Sequence, residues 1–464
     1  MYHNNKEEDM EDKLLAIVQS INSVLWGVPM MIVLVGCGIF YTFILRGIQI
    51  RDFGLAFKKA FSGFSLKGKK AGADGMSSFQ SLATAIAGQV GTGNLTGSAT
   101  AIISGGPGAI FWMWISAFFG MATIFAEAVL GQKYKVVKDG QVTGGPAYYL
   151  RNGLNSKFLA GLFAILITIA LAFIGNLVQA NSIGQAFSSV INIPAWAVGL
   201  IMVVISGFIF IGGVGRIASV TEKIVPIMAF FYIIGGLIIL VKNGGATIDA
   251  FRQIFVGAFN PQAVLGGAAG ITVRQAVRYG VARGLFSNEA GMGSTPQAHA
   301  VAKVNHPCDQ GLVAIVGVFI DTFIVLTINA LVIISTGANT VDGLKGIKVT
   351  QKAFEIGIGH IGVAFIAVAL FFFAFSTIIG WYFYGEANII YLFGKKGLGV
   401  YRILALIFIY LGTMFQVDLV WELADMFNAM MVIPNIIGVF GLYKVVQSSL
   451  KEYETLKLGV NPNA

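Results

Sequence analysis

Two glycine-punctuated apolar stretches and one pair of hydroxyls carry the residue types that could do chemistry in this chain. The first stretch, residues 81 to 108, reads SLATAIAGQVGTGNLTGSATAIISGGPG and is apolar enough for a bilayer, yet it contains Gly88, Gly91, Gly93 and Gly97. Glycine weakens helix interiors, so this spacing predicts an interruption near GQVGTGN. Unwound backbone at membrane depth persists only where protein or a water-filled cavity satisfies it, which makes the break the expected half of a solute and ion site. The second stretch, residues 263 to 286, places Gly266, Gly267 and Gly270 ahead of a half that bears Arg274, Arg278 and Arg283. Charges there are costly in lipid and require a face of protein or a wet vestibule. In the third, residues 369 to 393, Ser376 and Thr377 lie near the middle of an apolar run, and Thr377 and Trp381 share a helical face with Phe373 one turn earlier. Hydroxyls at mid-depth can coordinate sodium, and an indole can close a small pocket.

Each of these has a plainer reading. Small residues also let membrane helices pack closely, and mid-helix Ser and Thr bond back to their own carbonyls. Two breaks at matching places are what favours function. Glycine-interrupted segments that open corresponding halves of a chain are the pattern of an inverted-repeat secondary transporter. The helix restarting after each break offers free N–H groups and a positive dipole end to an anionic group, and the carbonyls freed before it suit a small cation.

Glu127, Asp321 and Glu386 fall in or near apolar runs, and an intramembrane acid is a functional candidate by default. Asp321 is the deepest; Glu127 and Glu386 read better as partners of arginines such as those of the seventh span. His299, His306 and Cys308 match no zinc spacing. The GTGN run is no phosphate loop, since no Gly-Lys-Ser/Thr follows it. No nucleophile arrangement is recognisable.

The elements that must position these residues are membrane helices. Of 464 residues 56% are hydrophobic and 11% charged, and the mean hydropathy of +0.78 excludes the common soluble classes. Eleven spans are expected, at residues 21 to 45, 77 to 103, 109 to 131, 158 to 178, 194 to 214, 222 to 241, 262 to 287, 311 to 336, 361 to 392, 402 to 416 and 421 to 443. The alternation of a barrel is missing, so the class is an all-α polytopic membrane protein. With the first span set aside, ten remain, and the second and seventh each open a block of five. The blocks, 77–241 and 262–443, are then of opposite orientation. No linker or soluble domain interrupts residues 1–464, which are expected to form a single transmembrane domain.

Lysine and arginine concentrate in loops 46 to 76 and 132 to 157 and in the tail 444 to 464, which should be cytoplasmic, leaving the polar residues 1–20 outside. Lys345, Lys348 and Lys352 in an outer loop dissent from that rule. The acidic N-terminus does not read as a cleavable signal peptide. A net charge of +9 then serves topology and headgroups rather than nucleic acid, and Cys37 and Cys308 lie at different depths, against a disulfide.

Three blocks carry a family resemblance: GTGNLTGSATAIISGGPGAIFWMWISAFFGMATIFAE (91 to 127), GGPAYYLRNGL (144 to 154) and GVARGLFSNEAGMGSTPQAHA (280 to 300). In this order they resemble the alanine or glycine:cation symporter family. The resemblance implies a LeuT-like core of ten helices after one extra span, with spans 2 and 7 discontinuous. It also implies sodium-coupled uptake of small neutral amino acids and no cofactor beyond the coupling ion. By the same resemblance, substrate falls on Gln89, Gly91, Thr92, Gly93 and Asn94 and on Gly267, Gly270, Ile271 and Thr272, against Phe373, Thr377 and Trp381. Sodium falls on Ala87, Val90, Ser376 and Thr377, and Trp381 limits side-chain size. A proton-coupled transporter of the same fold, with Asp321 or Glu127 as carrier, is the alternative.

Overall fold

A computed structural model describes residues 2–62, 75–191, 193–265, 271–415 and 417–457. The chain begins with α1 (Tyr2–Leu25) and α2 (Val28–Ile44), bent by 48° against each other over residues 11–44. Two short helices, α3 (Ile48–Arg51) and α4 (Phe53–Phe61), precede the first glycine-rich element. That element is α5 (Ser78–Gln89), a break, the π-helical turn Gly93–Gly97 and α6 (Ser98–Gly105). A capping box of Ser77 and Gln80 starts α5 by satisfying two free backbone donors reciprocally.

Helix α7 (Ala109–Lys133) runs back to an antiparallel hairpin of β1 (Val136–Lys138) and β2 (Gln141–Thr143), followed by α8 (Pro146–Asn152). The next span is one long helix: α9 (Lys157–Ile167) passes through π-helical turns at Thr168–Gly175 into α10 (Asn176–Ile191). Its expected end at residue 178 falls short because Asn176, Gln179, Asn181 and Ser182 lower the hydropathy. They are buried against protein, not in a loop.

Helices α11 (Ala195–Ile211) and α12 (Gly213–Lys242) follow, and then α13 (Gly244–Phe259) and α14 (Pro261–Leu265). Phe255 and Phe259 of α13 meet Phe111 at 5.7 and 5.3 Å, and Trp112 and Trp114 join this cluster. Aromatic groupings of this kind suit a membrane–water boundary. Then come α15 (Val273–Asn288), α16 (Pro296–Ala300) and α17 (Pro307–Val318), which continues through π-helical turns at Phe319–Leu326 into α18 (Thr327–Ser335). The chain ends with α19 (Ile347–Ile358), α20 (Ile361–Phe393), α21 (Leu398–Gly412), α22 (Val417–Gly441) and α23 (Tyr443–Lys457).

Among the described residues, six helices are long and apolar enough to cross a membrane alone, or seven if the bent N-terminal pair counts as one. The element holding α5 and α6 fails that test for a physical reason: its halves have 12 and 8 residues, each too short without the other. The core sits around this element, with α7 packed along α15 and α17, and α20 along α5, α10 and α12. The basic segments gather at one end. There Lys457 lies 3.2 Å from Asp52, Arg51 2.7 Å from Glu454 and Lys59 2.8 Å from Asp309. Burial raises the Asp52 carboxyl, but hydrogen bonds from Arg51 and Lys457 outweigh it and hold it below the usual carboxylate range. At the opposite end, Asn22 of α1 donates to the Glu422 carbonyl of α22 at 2.8 Å.

Candidate functional site

Helix α5 stops at Gln89 because Val90 turns extended, and the chain re-enters helix only at Gly93. Residues 81 to 99 are all buried, so the backbone groups freed here must find partners inside the protein. The amide of Gly91 donates to Asn94 Oδ1 at 2.9 Å and that of Thr92 to Gln179 Oε1 at 3.2 Å. The carbonyl of Val90 accepts from Thr377 Oγ1 at 3.3 Å, while the same hydroxyl lies 3.0 Å from its own helix carbonyl at Phe373. The Thr377 hydroxyl thus reaches both its own helix and the freed carbonyl of the broken one.

The glycines are needed here for close approach rather than unusual dihedrals, since neither Gly91 nor Gly93 has a positive φ. A Cβ at Gly91 would collide with Thr377 Oγ1, and one at Gly93 would lie 2.9 Å from Ser287 Cα. Ala87, fully buried, lies where α5 and α20 touch: a Cβ at Gly380 would come within 3.4 Å of its carbonyl carbon. Ser376 turns elsewhere, to Phe373 O at 2.9 Å and Met228 Sδ at 3.6 Å, and the Phe373 ring packs 5.1 Å from Tyr232 of α12. Trp381 is buried edge-on against Phe286, 5.8 Å between centroids, and its Nε1 donates to Glu289 Oε1.

The second glycine run stands apart from the first break. Gly267 and Gly270 lie outside the described residues. Ile271 and Thr272 stand at the start of α15, where exposed Thr272 forms a capping box with Gln275. About 24 Å of helix separates that end from the end meeting the first break. Gln89 Nε2 donates to the carbonyl of Asn288 at 2.7 Å, and Ser287 packs on Gly93, so the facing interruption is residues 289 to 295. It is built by left-handed Glu289 (φ 58°) and by Gly291 (φ 93°) and Gly293 (φ 77°).

Asp321 joins the two breaks. Its Oδ1 accepts from Asn94 Nδ2 at 2.7 Å and Ser287 Oγ at 3.0 Å, and its Oδ2 from Thr322 Oγ1 at 2.8 Å. Asn329 braces the same turn by donating to the carbonyls of Asn94 and Leu95, both at 3.1 Å. Glu127 pairs with no arginine of the seventh span; it accepts from Asn435 Nδ2 and from the Gly291 amide at 3.1 Å, which ties it to the second interruption. Glu386 is buried on α20, and its Oε2 has no hydrogen-bond partner among the described residues. Gln179, Ser287, Asn288 and Glu289 were not singled out by sequence. Their signal was polarity inside otherwise apolar surroundings.

A family model described as the sodium:alanine symporter family matches residues 11–462. The chain belongs to this family. It is 42% identical over 459 residues to the sodium/alanine symporter AgcS of Methanococcus maripaludis, covering 97% of this chain and 99% of that protein. It is also 40% identical over 449 residues to the probable sodium/glutamine symporter GlnT of Bacillus subtilis, covering 97% and 92%. Among solved structures it resembles a manganese transporter of Eremococcus coleocola crystallised with an aromatic bis-isothiourea substituted compound. The TM-score is 0.52 at 14% identity, over 81% of this chain and 85% of that one. At that identity the likeness concerns the fold alone. The protein is thus an integral membrane symporter coupling a cation to an amino acid, and it is not an enzyme.

The symporter's two ends differ around the breaks. On the side of α6 and α15 a cavity of about 690 Å³ reaches Thr96, Thr100, Tyr279, Arg283 and Trp421. Arg283 is ion-paired with Asp425 at 2.7 Å and lies over the Trp421 ring. On the side of α5 and α16 residues 289 to 302 are buried throughout.

Proposed function

We propose that the protein imports small neutral amino acids, alanine and glycine, with sodium by alternating access. The observation that carries this reading is the Thr377 hydroxyl at the freed Val90 carbonyl, 3.3 Å away, where two oxygens from different helices converge beside a break. Sodium is held there with the Ala87 carbonyl and, after a rotamer change, the Ser376 hydroxyl. The substrate carboxylate replaces Asn94 Oδ1 and Gln179 Oε1 on the amides of Gly91 and Thr92, where the restarting helix places its positive end. Trp381 closes the pocket and limits side-chain size.

In this reading the eleven spans form a LeuT-like 5+5 inverted repeat, 77–241 and 262–443. The antiparallel pairing of α6 with α15 and α5 with α16 supports it. The protein sits in the cell membrane with its N-terminus outside and the tail 444–464 cytoplasmic, so the cavity beside α6 and α15 opens outward. One sodium suffices: a charge falling through about 100 mV supplies roughly 2.3 kcal/mol and a tenfold sodium gradient roughly 1.4 kcal/mol. Together these sustain an alanine gradient of roughly several hundredfold.

The test is uptake of labelled alanine into proteoliposomes with and without an inward sodium gradient; equal uptake in both refutes sodium coupling. A second reading, proton coupling, has its own observation in Asp321, fully buried and hydrogen-bonded by uncharged groups. It requires uptake driven by a pH gradient without sodium and abolished by Asp321→Asn.

A further inference from the structure

Glu289 is an acid in a place where a membrane protein has reason to avoid one. It is wholly buried, it caps α15 in the left-handed conformation, and it lies in an interruption that sequence reasoning passed over. Non-glycine residues adopt that conformation at a cost and hold it where their surroundings fix them. Two contacts fix this one. Ser294 Oγ donates to Oε2 at 2.7 Å from the far end of the same interruption, and Trp381 Nε1 donates to Oε1 from α20.

The rest of the indole is held by packing. On its opposite rim Gly175 leaves the room the ring occupies, because a Cβ there would come within 2.6 Å of Trp381 Cε3. On a third side stands Phe286 of α15, one turn before Glu289. The indole is therefore seated in a slot between α10's approach and α15, and among the described residues Glu289 alone bonds its N–H. A buried indole without that acceptor would lose its one polar anchor, and the ring could leave its slot.

We infer that Glu289 is a positioning residue that sets the substrate size limit by holding the Trp381 indole in place. This rests on the reading of Trp381 as the pocket wall. What the role requires is an acceptor at the right reach, and not a negative charge. A glutamine keeps the reach and an acceptor oxygen, and its amide can exchange roles with the Ser294 hydroxyl. An aspartate keeps the charge and withdraws the oxygens by one methylene, about 1.5 Å.

The experiment uses the full-length protein in proteoliposomes. Sodium-driven uptake of labelled alanine is competed by glycine, alanine, valine and leucine for wild type, Glu289→Gln, Glu289→Asp and Trp381→Ala. Glu289→Gln is expected to keep the wild-type size series and sodium dependence. Glu289→Asp is expected to let leucine compete about tenfold better and to raise KM for alanine with the maximal rate little changed. If Glu289→Asp fails to reach the membrane, Trp381→Phe, which removes the N–H and keeps an aromatic ring, should show the same widening. Widening by Trp381→Ala with an unaltered series in Glu289→Asp overturns the positioning role alone. An unaltered series in Trp381→Ala overturns the wall, and the positioning role with it. A size series widened in Glu289→Gln as far as in Trp381→Ala also overturns it, since charge and not an acceptor at the right reach would then hold the ring.

Discussion

The two ends of the broken-helix pair are closed by different means. Beside α5 and α16 the seal is backbone against backbone: a Cβ at Gly380 would lie 2.9 Å from Gly88 N, and one at Gly131 would lie 3.0 Å from Pro296 O. Polar side chains lock that contact, with Ser81 donating to Ala298 O at 2.8 Å and Gln132 to Ala302 O at 2.9 Å. Beside α6 and α15 side chains and a cavity occupy the same position, with a buried ion pair at the floor and an exposed one at the rim. A close-packed seal opens only as a unit, whereas side-chain closures change singly. On the alternating-access proposal, the difference makes the α5–α20 contact the costly gate and the vestibule the adjustable one.

The sharpest way to break this contrast is at the vestibule floor. Arg283→Met leaves Asp425 buried without its cation and should cost about 3–5 kcal/mol, read as a lowered Tm in detergent. Removing both charges in Arg283→Met with Asp425→Leu should restore most of it. At the sealed end Gly380→Val forces α20 from α5 for about 1–3 kcal/mol of overpacking, so a thiol at Ala85→Cys, protected in the parent, should become reactive. By contrast Thr100→Cys in the cavity wall should label at once, and protection there would mean that the vestibule is shut. Thr377→Ala should raise the sodium concentration for half-maximal uptake about tenfold, equivalent to about 1.4 kcal/mol, with protein abundance unchanged. The smallest effect belongs to Lys345→Ala at the rim, where the pair with Asp418 spans 3.9 Å between side chains 80% and 61% exposed. It should move Tm by the equivalent of less than about 1 kcal/mol and nothing further in 1 M salt.

Much of the first break was legible, because Gly91, Gly93 and the hydroxyl at Thr377 combine a backbone signal with a chemical one. The segment that faces it, residues 289 to 295, was not legible for the opposite reason. The run Gly266, Gly267 and Gly270 is rich in glycine, but the interruption that meets the first break owes its shape to Glu289 as much as to Gly291 and Gly293. An acid followed by a helix of five residues reads as the loop after a span. Gln179 was lost similarly, since hydropathy weighs a side chain without knowing which face it occupies. The amphipathic helices α13 and α19 fell between the expected spans because neither is long and apolar enough to read as one. Ser376 and Phe373 show the reverse limit: spacing put them on the right helix, but only packing decides that they turn to Met228 and Tyr232.

Among the described residues three π-helical stretches surround the site: Gly93–Gly97, Thr168–Gly175 and Phe319–Leu326, the last holding Asp321. A π turn accommodates one residue more than the α-helix it interrupts, so each stretch amounts to an inserted residue kept in register by its neighbours. Removing a single residue from 319 to 326 would let the helix relax to α geometry and swing everything beyond it by about 100° relative to what precedes it. Asn329 would then point away from the Asn94 carbonyl it now braces. The chain's length at these three places is therefore as much a part of the site as its side chains, and homologues one residue shorter there would need a different arrangement around the breaks.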